Sequence, residues 1–476
     1  PNDSNSANII SGTSFSAPAV SGVISLMLEA NSGLGYRDVQ DILAMSARQV
    51  DASGIGWANQ GWQTNGAGNW NGGGMHFSHD YGFGNVDALA AVRMAETWHV
   101  GTSGAQTYTN MTVIPPVSSA PALALPDLGT VTTTIDVVQD ISIEHVLINL
   151  DISHAKAGDL VVTLTSPDGT DSVLMYNVEN GAYTSRYGIT GVDFEFSSTA
   201  HWGESSAGTW TLTIQDTAGG NVGTLNSWSL EFLGSAQSTD DLYVYTNEYA
   251  IVTDPLRQTL HDINGGNDTI NASAVSGDTT IDLNVGGVIS GNNVLITPDS
   301  VIENLIMGDG NDTLTGNDVN NILYAGRGDD TIVASLGDDT IDGAQGNDSV
   351  VYSFNIGDFL INLIDSVTVA LTHVAQAFTD TLFNIESFIF ADGSYTRADL
   401  DAYVASGGGQ PDPVVNTRIV LGWSGGGKSL IHTDVGSFVY TGDDIGQTGV
   451  TQDVLSVLRA STTLSATVLQ SNAIDS

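Results

Sequence analysis

The spacing of apolar residues changes twice along this chain, and the changes divide it. Near the start, Val20, Val23, Ile24, Met27 and Leu28 recur at helical spacing, which predicts a buried helix. Pro18 fits its first turn, where a missing N–H costs nothing. Gly35-Tyr36-Arg37-Asp38-Val39-Gln40-Asp41-Ile42-Leu43 opens a second amphipathic helix. The run from His79 to Ala88 leads into a third, with Val86, Leu89 and Val92 on one face. After a polar, Pro- and Ser-bearing stretch at 100–125 the period drops to two. Val146, Ile148, Leu150 and Ile152 alternate with Leu147, Asn149, Asp151 and Ser153, and Leu160, Val162 and Leu164 continue up to the turn Ser166-Pro167-Asp168-Gly169. Trp210, Leu212 and Ile214, then Trp228, Leu230 and Phe232, supply two more half-buried strands. Short strands between Gly, Asp and Pro turns predict an antiparallel sandwich.

The third pattern is arithmetic. Asp312, Asp330, Asp339 and Asp348 fall at multiples of nine residues, with Asn321 in the one gap. An aliphatic follows two positions after each: Leu314, Leu323, Ile332, Ile341 and Val350. Gly310, Gly328, Gly337 and Gly346 stand two before each Asp. The Gly-rich half makes a turn that exposes carbonyls, the Asp adds a carboxylate, and the aliphatic anchors a short strand in a narrow core. The pattern resembles the nonapeptide of RTX calcium-binding proteins, and that resemblance implies two nonapeptides per turn of a parallel roll, with Asp312 stacked over Asp330 and Asp330 over Asp348. Calcium takes roughly six to eight oxygen ligands and fits between successive turns. The candidate metal-site residues are these four aspartates and four glycines. Asp268 joins them, in the out-of-phase copy Gly265-Gly266-Asn267-Asp268-Thr269-Ile270.

A second chemistry sits in Gly12-Thr13-Ser14-Phe15-Ser16-Ala17-Pro18. A serine hydroxyl needs a neighbouring base to become a nucleophile. At the first turn of a helix its free N–H, with the helix dipole, also faces the oxyanion formed in acyl transfer. Ser14 is the candidate catalytic residue. All nine histidines follow it, His76 and His79 nearest in sequence.

Composition narrows the function classes. The 476 residues suggest roughly three or four domains. With no cysteine there is no disulfide framework. Lys and Arg total 11 against 54 Asp and Glu, a formal charge of −43, so the chain repels nucleic acid and anionic membranes unless cations offset it. The hydrophobic share of 41% argues against wholesale disorder. No apolar run reaches the length of about 18 residues that a membrane span requires.

The Gly12–Pro18 turn, Leu28-Glu29-Ala30-Asn31, Tyr36-Arg37-Asp38-Val39 and the His79–Ala88 run resemble the kexin and furin branch of the subtilisin-like serine proteases, over residues 1–99. The resemblance carries the nucleophile to Ser14 and implies that triad Asp, triad His and oxyanion Asn lie upstream of Pro1. It also implies a packing turn, not catalysis, for His79. Gly158-Asp159-Leu160, Ser166-Pro167-Asp168-Gly169-Thr170, Gly208-Thr209-Trp210 and Gly223-Thr224-Leu225-Asn226 resemble the P domain of the same convertases, a structural β-sandwich. The nonapeptides are those of RTX calcium-binding proteins. With Ile302-Glu303-Asn304-Leu305 and the Asn384–Gly393 run they resemble the tail of serralysin-type secreted proteases. That likeness implies an extracellular protein exported by the type I secretion machinery of a Gram-negative bacterium. The ending Ala473-Ile474-Asp475-Ser476 departs from the acidic-then-apolar ending of such substrates.

The expected architecture is multidomain: an α/β subtilase remnant at 1–99, a linker at 100–126, an all-β P-domain sandwich at 127–236, a parallel β-roll at 237–400, a linker at 401–414 and an unassigned β-rich segment at 415–476. Gly422-Trp423-Ser424-Gly425-Gly426-Gly427-Lys428-Ser429 satisfies the phosphate-loop expression, but the residues after it read as strand and turn, where phosphate binding needs a helix. Two functions remain open. One is part of a secreted, calcium-dependent serine endopeptidase acting on polypeptide substrates, inactive without its upstream triad members. The alternative is a non-catalytic extracellular calcium-binding or adhesive protein.

Overall fold

The computed structural model describes residues 13–51, 61–101, 104–176 and 190–409, and the backbone of three strands between 422 and 441. Among the described residues it is mostly β-sheet with four α-helices. The first unit holds α1 (Thr13–Ala30), α2 (Tyr36–Ser46) and α3 (Ala88–Thr97). Asp87 caps α3 by accepting the N–H groups of Leu89 and Ala90, each at 3.1 Å. Asp38 caps α2 by accepting the Gly35 N–H at 2.7 Å. α1 packs on α3 through Val23 and Met27.

The expectation that α1 is buried holds for one face only. Phe15 is 53% exposed, Leu26 49% and Leu28 40%. Among the described residues nothing covers that side. Helical periodicity marks which residues can be buried, not what is present to bury them.

The second unit is a sandwich of antiparallel strands. One sheet runs in the order Thr130–Val137, Gly208–Asp216, Leu160–Thr165, Asp171–Met175. The other runs Thr112–Ser119, Gly223–Ala236, Ile141–His154, Val192–Ser198. Trp210, Trp228, Ile148, Leu150, Leu212 and Leu230 fill the space between. The stretch expected as a linker, 100–126, instead supplies Thr112–Ser119 and the short strand Leu123–Leu125, and both Ile114 and Leu125 are in the core. Pro115 and Pro116 hid this strand. Proline cannot donate to a ladder, but an edge strand tolerates it, and Thr112–Ser119 lies at the edge.

The third unit is built from two sheets whose central strands are short and parallel, with antiparallel pairs toward the ends. Asn304–Ile306, Ile322–Tyr324 and Thr340–Asp342 follow one another on one face, and Thr313–Thr315, Thr331–Val333 and Ser349–Val351 on the other. The register shift is 18 residues throughout, as Leu314 opposite Ile332 and Ile332 opposite Val350 show. Leu314, Leu323, Ile332, Ile341 and Val350 are all fully buried between the faces. α4 (Arg397–Ala405) closes the end, burying Leu400, so the unit runs past position 400. Beyond it, Gly422–Ser424, Lys428–Thr433 and Gly436–Thr441 pair antiparallel. A strand, not a helix, therefore follows the phosphate-loop match; much of 410–476 lies outside the described residues.

Candidate functional site

The nonapeptide aspartates form ladders with one rung per turn of the roll. The Asp312 N–H donates to Asp330 Oδ1 at 2.7 Å, and the Asp330 N–H to Asp348 Oδ1 at 2.9 Å. On the opposite face the Asn321 N–H donates to Asp339 Oδ1 at 2.9 Å. Asp312, Asp330, Asp339 and Asp348 are each no more than 2% exposed, and Asp268 is fully buried. The loops stack so closely that glycine is obligatory two residues before the Asp. A Cβ on Gly328 would stand 1.7 Å from the Gly310 carbonyl oxygen, and one on Gly346 would stand 1.6 Å from that of Gly328. Gly310 and Gly337 approach the preceding loop in the same way.

Each ladder bond occupies one carboxylate oxygen. The second oxygens of Asp268, Asp312, Asp330 and Asp348 are buried and accept no hydrogen bond. Burial of an ionised carboxylate without a partner is strongly unfavourable. It pushes the carboxyl of Asp312 up to about 8, Asp348 to about 7, and Asp330 and Asp339 to about 6. A hard divalent cation among these oxygens supplies the missing partner, so the donor set fits calcium.

The one interruption in the repeat is filled differently. Asn321 accepts the Asn317 N–H at 2.9 Å and donates to the carbonyl of Glu303 and to Asn317 Oδ1, each at 2.9 Å. An uncharged amide here satisfies itself within the protein, where Asp needs an ion.

The ladders also extend past the motif. Glu386 accepts the Asp348 N–H at 2.8 Å, Asp380 accepts the Asp339 N–H at 3.0 Å, and Glu303 accepts the Asp268 N–H at 2.7 Å. Sequence reasoning did not assign these carboxylates because they follow insertions that break the count of nine. A search for Asp or Glu directly before each short aliphatic strand would have found Glu303 and Glu386, whereas Asp380 lies inside the strand Phe378–Phe383.

Ser14 lies in the first turn of α1 and is exposed. Neither nearby histidine is directed to it. His76 Nε2 lies 2.7 Å from the Phe83 carbonyl and its Nδ1 3.2 Å from Glu248, while His79 Nε2 accepts the Val173 N–H at 2.8 Å. Burial lowers the pKa of His79, in keeping with its role as acceptor.

The helical unit and the sandwich are locked by buried polar groups. Arg37 Nε donates to both oxygens of Glu144, at 2.9 and 3.1 Å, and both residues are buried. The guanidinium also donates to Ser235 Oγ, Asn110 Oδ1 and the Thr107 carbonyl. Trp202 Nε1 donates to Asp41 Oδ1 at 3.0 Å, and Asn65 holds the Ala200 and Trp202 carbonyls. On the other side, Arg93 Nε meets Asp309 of the repeat at 2.6 Å and Arg327 meets Glu96 at 2.9 Å, so α3 rests on the roll.

Comparison with known proteins follows the same division. Residues 2–84 match the subtilase family, 143–232 the proprotein convertase P-domain, and 308–332 and 315–350 the RTX calcium-binding nonapeptide repeat. Human proprotein convertase subtilisin/kexin type 6 is 35% identical over 48% of this chain and 22% of its own length. Kexin of Saccharomyces cerevisiae is 31% identical over 51% of this chain and 28% of its own, and human furin 32% over 47% and 26%. The chain thus spans 22% to 28% of the length of these relatives. A crystal structure of a serine protease of Aeromonas sobria aligns over 48% of this chain and 45% of that one, at 26% identity and a TM-score of 0.39.

Proposed function

We propose that these residues are part of a secreted, calcium-dependent serine endopeptidase of the kexin type, with Ser14 as its nucleophile. The observation that carries this reading is the position of Ser14. It stands at the exposed first turn of a helix, in a segment similar to subtilases, and that segment is clamped to a P-domain-like sandwich. The Ser14 hydroxyl attacks the scissile carbonyl of a polypeptide, and the helix start faces the oxyanion. The base that takes the serine proton and the carboxylate that orients it come from peptidase segments outside this chain. The uncovered apolar side of α1, with Phe15, Leu26 and Leu28, is where those segments pack.

Calcium, when bound, neutralises the buried carboxylates of Asp312, Asp330, Asp339, Asp348 and Asp268 and so holds the roll together. Gly310, Gly328, Gly337 and Gly346 bring the loops close enough to share it. A roll that folds only in extracellular calcium suits export, unfolded, through the type I secretion machinery of a Gram-negative bacterium.

The test is active-site labelling. Full-length protein treated with a fluorophosphonate should carry the label on Ser14 and hydrolyse peptide substrates, and Ser14→Ala should abolish both with calcium uptake unchanged. Wild-type turnover in Ser14→Ala would overturn the assignment.

A further inference from the structure

The carboxylate ladder begins before the repeat does. The strand Leu242–Thr246 lies parallel to Thr269–Ala274 with Leu242 opposite Thr269, so Asp241 is in register with Asp268. The bonds joining them are those of the repeat. The Asp241 N–H donates to Asp268 Oδ1 at 2.7 Å, and the Thr269 N–H to the Asp241 carbonyl at 2.8 Å. Gly266 rides on the Thr239 carbonyl much as Gly328 rides on that of Gly310, a Cβ standing 2.0 Å from the oxygen against 1.7 Å. Asp262 comes in from the side, just beyond the short strand Thr259–Leu260. One carboxylate oxygen from each of Asp241, Asp262 and Asp268 lies within 4.8 Å of the other two.

Among the described residues no Lys or Arg pairs with this group. Asp268 is fully buried, and its Oδ2 has no hydrogen-bond partner. Asp262, also buried, accepts only neutral donors: the Tyr243 hydroxyl at 2.8 Å and the Asn264 N–H at 3.2 Å. Asp241 accepts the Asn264 amide at 2.9 Å. The cleft that opens over Asp241 and Asp262 has neither Lys nor Arg among its lining residues, and His261 at its rim turns to Asp299 at 3.3 Å.

We propose that Asp241, Asp262 and Asp268 hold a calcium ion at the first turn of the roll, two of its three carboxylates lying outside the nonapeptide pattern. Every donor is a hard oxygen, with no imidazole or thiolate, which favours calcium or magnesium over zinc or copper. Calcium accepts the irregular, partly buried arrangement, whereas magnesium demands near-ideal octahedral geometry and keeps several waters.

The place of the site gives it a consequence. Asp241 directly precedes Leu242–Thr246, which bonds to the roll on one side and to the helical unit on the other. The Asn71 N–H donates to the Val244 carbonyl at 2.7 Å, the Val244 N–H to the Asn69 carbonyl at 2.9 Å, and the Thr246 N–H to Asn71 Oδ1 at 2.8 Å. The ion therefore pins the strand through which the roll grips the helical unit. This reading is independent of the role given to Ser14.

The experiment uses the whole chain, freed of metal and titrated with calcium by isothermal calorimetry, with bound ions counted by native mass spectrometry. Asp241→Asn and Asp262→Asn should each bind one ion fewer than the unsubstituted chain and exchange the Val244 and Thr246 amides faster in calcium. Asp330→Asn should lose ions while those two amides stay protected. Asp241 is half-buried and contributes only backbone groups to the ladder, so Asp241→Asn decides the matter if Asp262→Asn does not fold. An unchanged ion count with unchanged Val244 and Thr246 protection in Asp241→Asn overturns the proposal.

Discussion

Removing calcium should unfold the roll while the sandwich stays intact. The structure sets the size of the effect. Four buried carboxylate oxygens, on Asp268, Asp312, Asp330 and Asp348, have no partner. A buried acceptor left unsatisfied costs about 1–3 kcal/mol, more when charged, so the four together cost at least roughly 4–12 kcal/mol. A whole domain is stable by only about 5–15 kcal/mol. An ion at 100 times its dissociation constant returns about 2.7 kcal/mol, so a few ions offset the penalty. The sign of the pH dependence follows. In the ion-free folded roll Asp312 is held at about 8, Asp348 at about 7, and Asp330 and Asp339 at about 6. An unfolded aspartate titrates near about 3.9. The folded state therefore binds extra protons, and ion-free stability falls as pH rises from about 4 to about 8. The roll has no tryptophan between residues 259 and 400, so fluorescence does not report on it. Hydrogen exchange of the Thr313–Thr315, Thr331–Val333 and Ser349–Val351 amides does. Measured as protection relative to the unfolded-chain rate at the same pH, these amides should be unprotected in chelator at pH 8, partly protected in chelator at pH 5, and most protected in millimolar calcium. Asp330→Asn keeps the acceptor for the Asp312 N–H but drops the charge, so it should raise protection in chelator and lower it in calcium. Equal protection with and without calcium at pH 8 would refute the reasoning.

The remaining expectations concern the other contacts. Glu144→Ala leaves the Arg37 guanidinium buried without a counter-ion and should cost about 3–5 kcal/mol, read as a lower calorimetric melting temperature. Arg37→Met with Glu144→Leu should recover most of that loss, and a double variant as unstable as Glu144→Ala would contradict it. Gly328→Ala places a Cβ 1.7 Å from the Gly310 oxygen, so calcium titration of this variant should show no cooperative folding of the roll. A wild-type titration would mean that the loops stack less closely. The 476-residue chain alone should not label with a fluorophosphonate, because the proposed base comes from segments outside it; label on Ser14 would show that a base is present within it.

The nonapeptide count determined the roll without help from the structure. A pattern with one aspartate, one glycine and one aliphatic per nine residues admits one winding, and Asp312, Asp330 and Asp348 stack as the arithmetic requires. Alternation did the same for the sandwich strands with Trp210 and Trp228, since a half-buried strand writes its two faces into its residues. The Gly12–Pro18 turn marked Ser14 as the candidate nucleophile, and the structure describes it at the exposed first turn of α1. What the linear order concealed was everything made by elements distant in sequence. The edge strand Thr112–Ser119 is recognisable only from its partner Gly223–Ala236. The Arg37–Glu144 pair joins residues 107 positions apart, and neither half shows a need for the other until both are buried. Asp241 and Asp262 look like surface acids along the chain, because the nine-residue spacing that marks a repeat is absent around them. The parallel pairing of Leu242 with Thr269 brings Asp241 beside Asp268, and the strand Thr259–Leu260, in the other sheet, delivers Asp262. Local periodicity is fixed by backbone geometry and can be read from one segment. Burial of charge depends on what packs across it, and only the tertiary structure decides that.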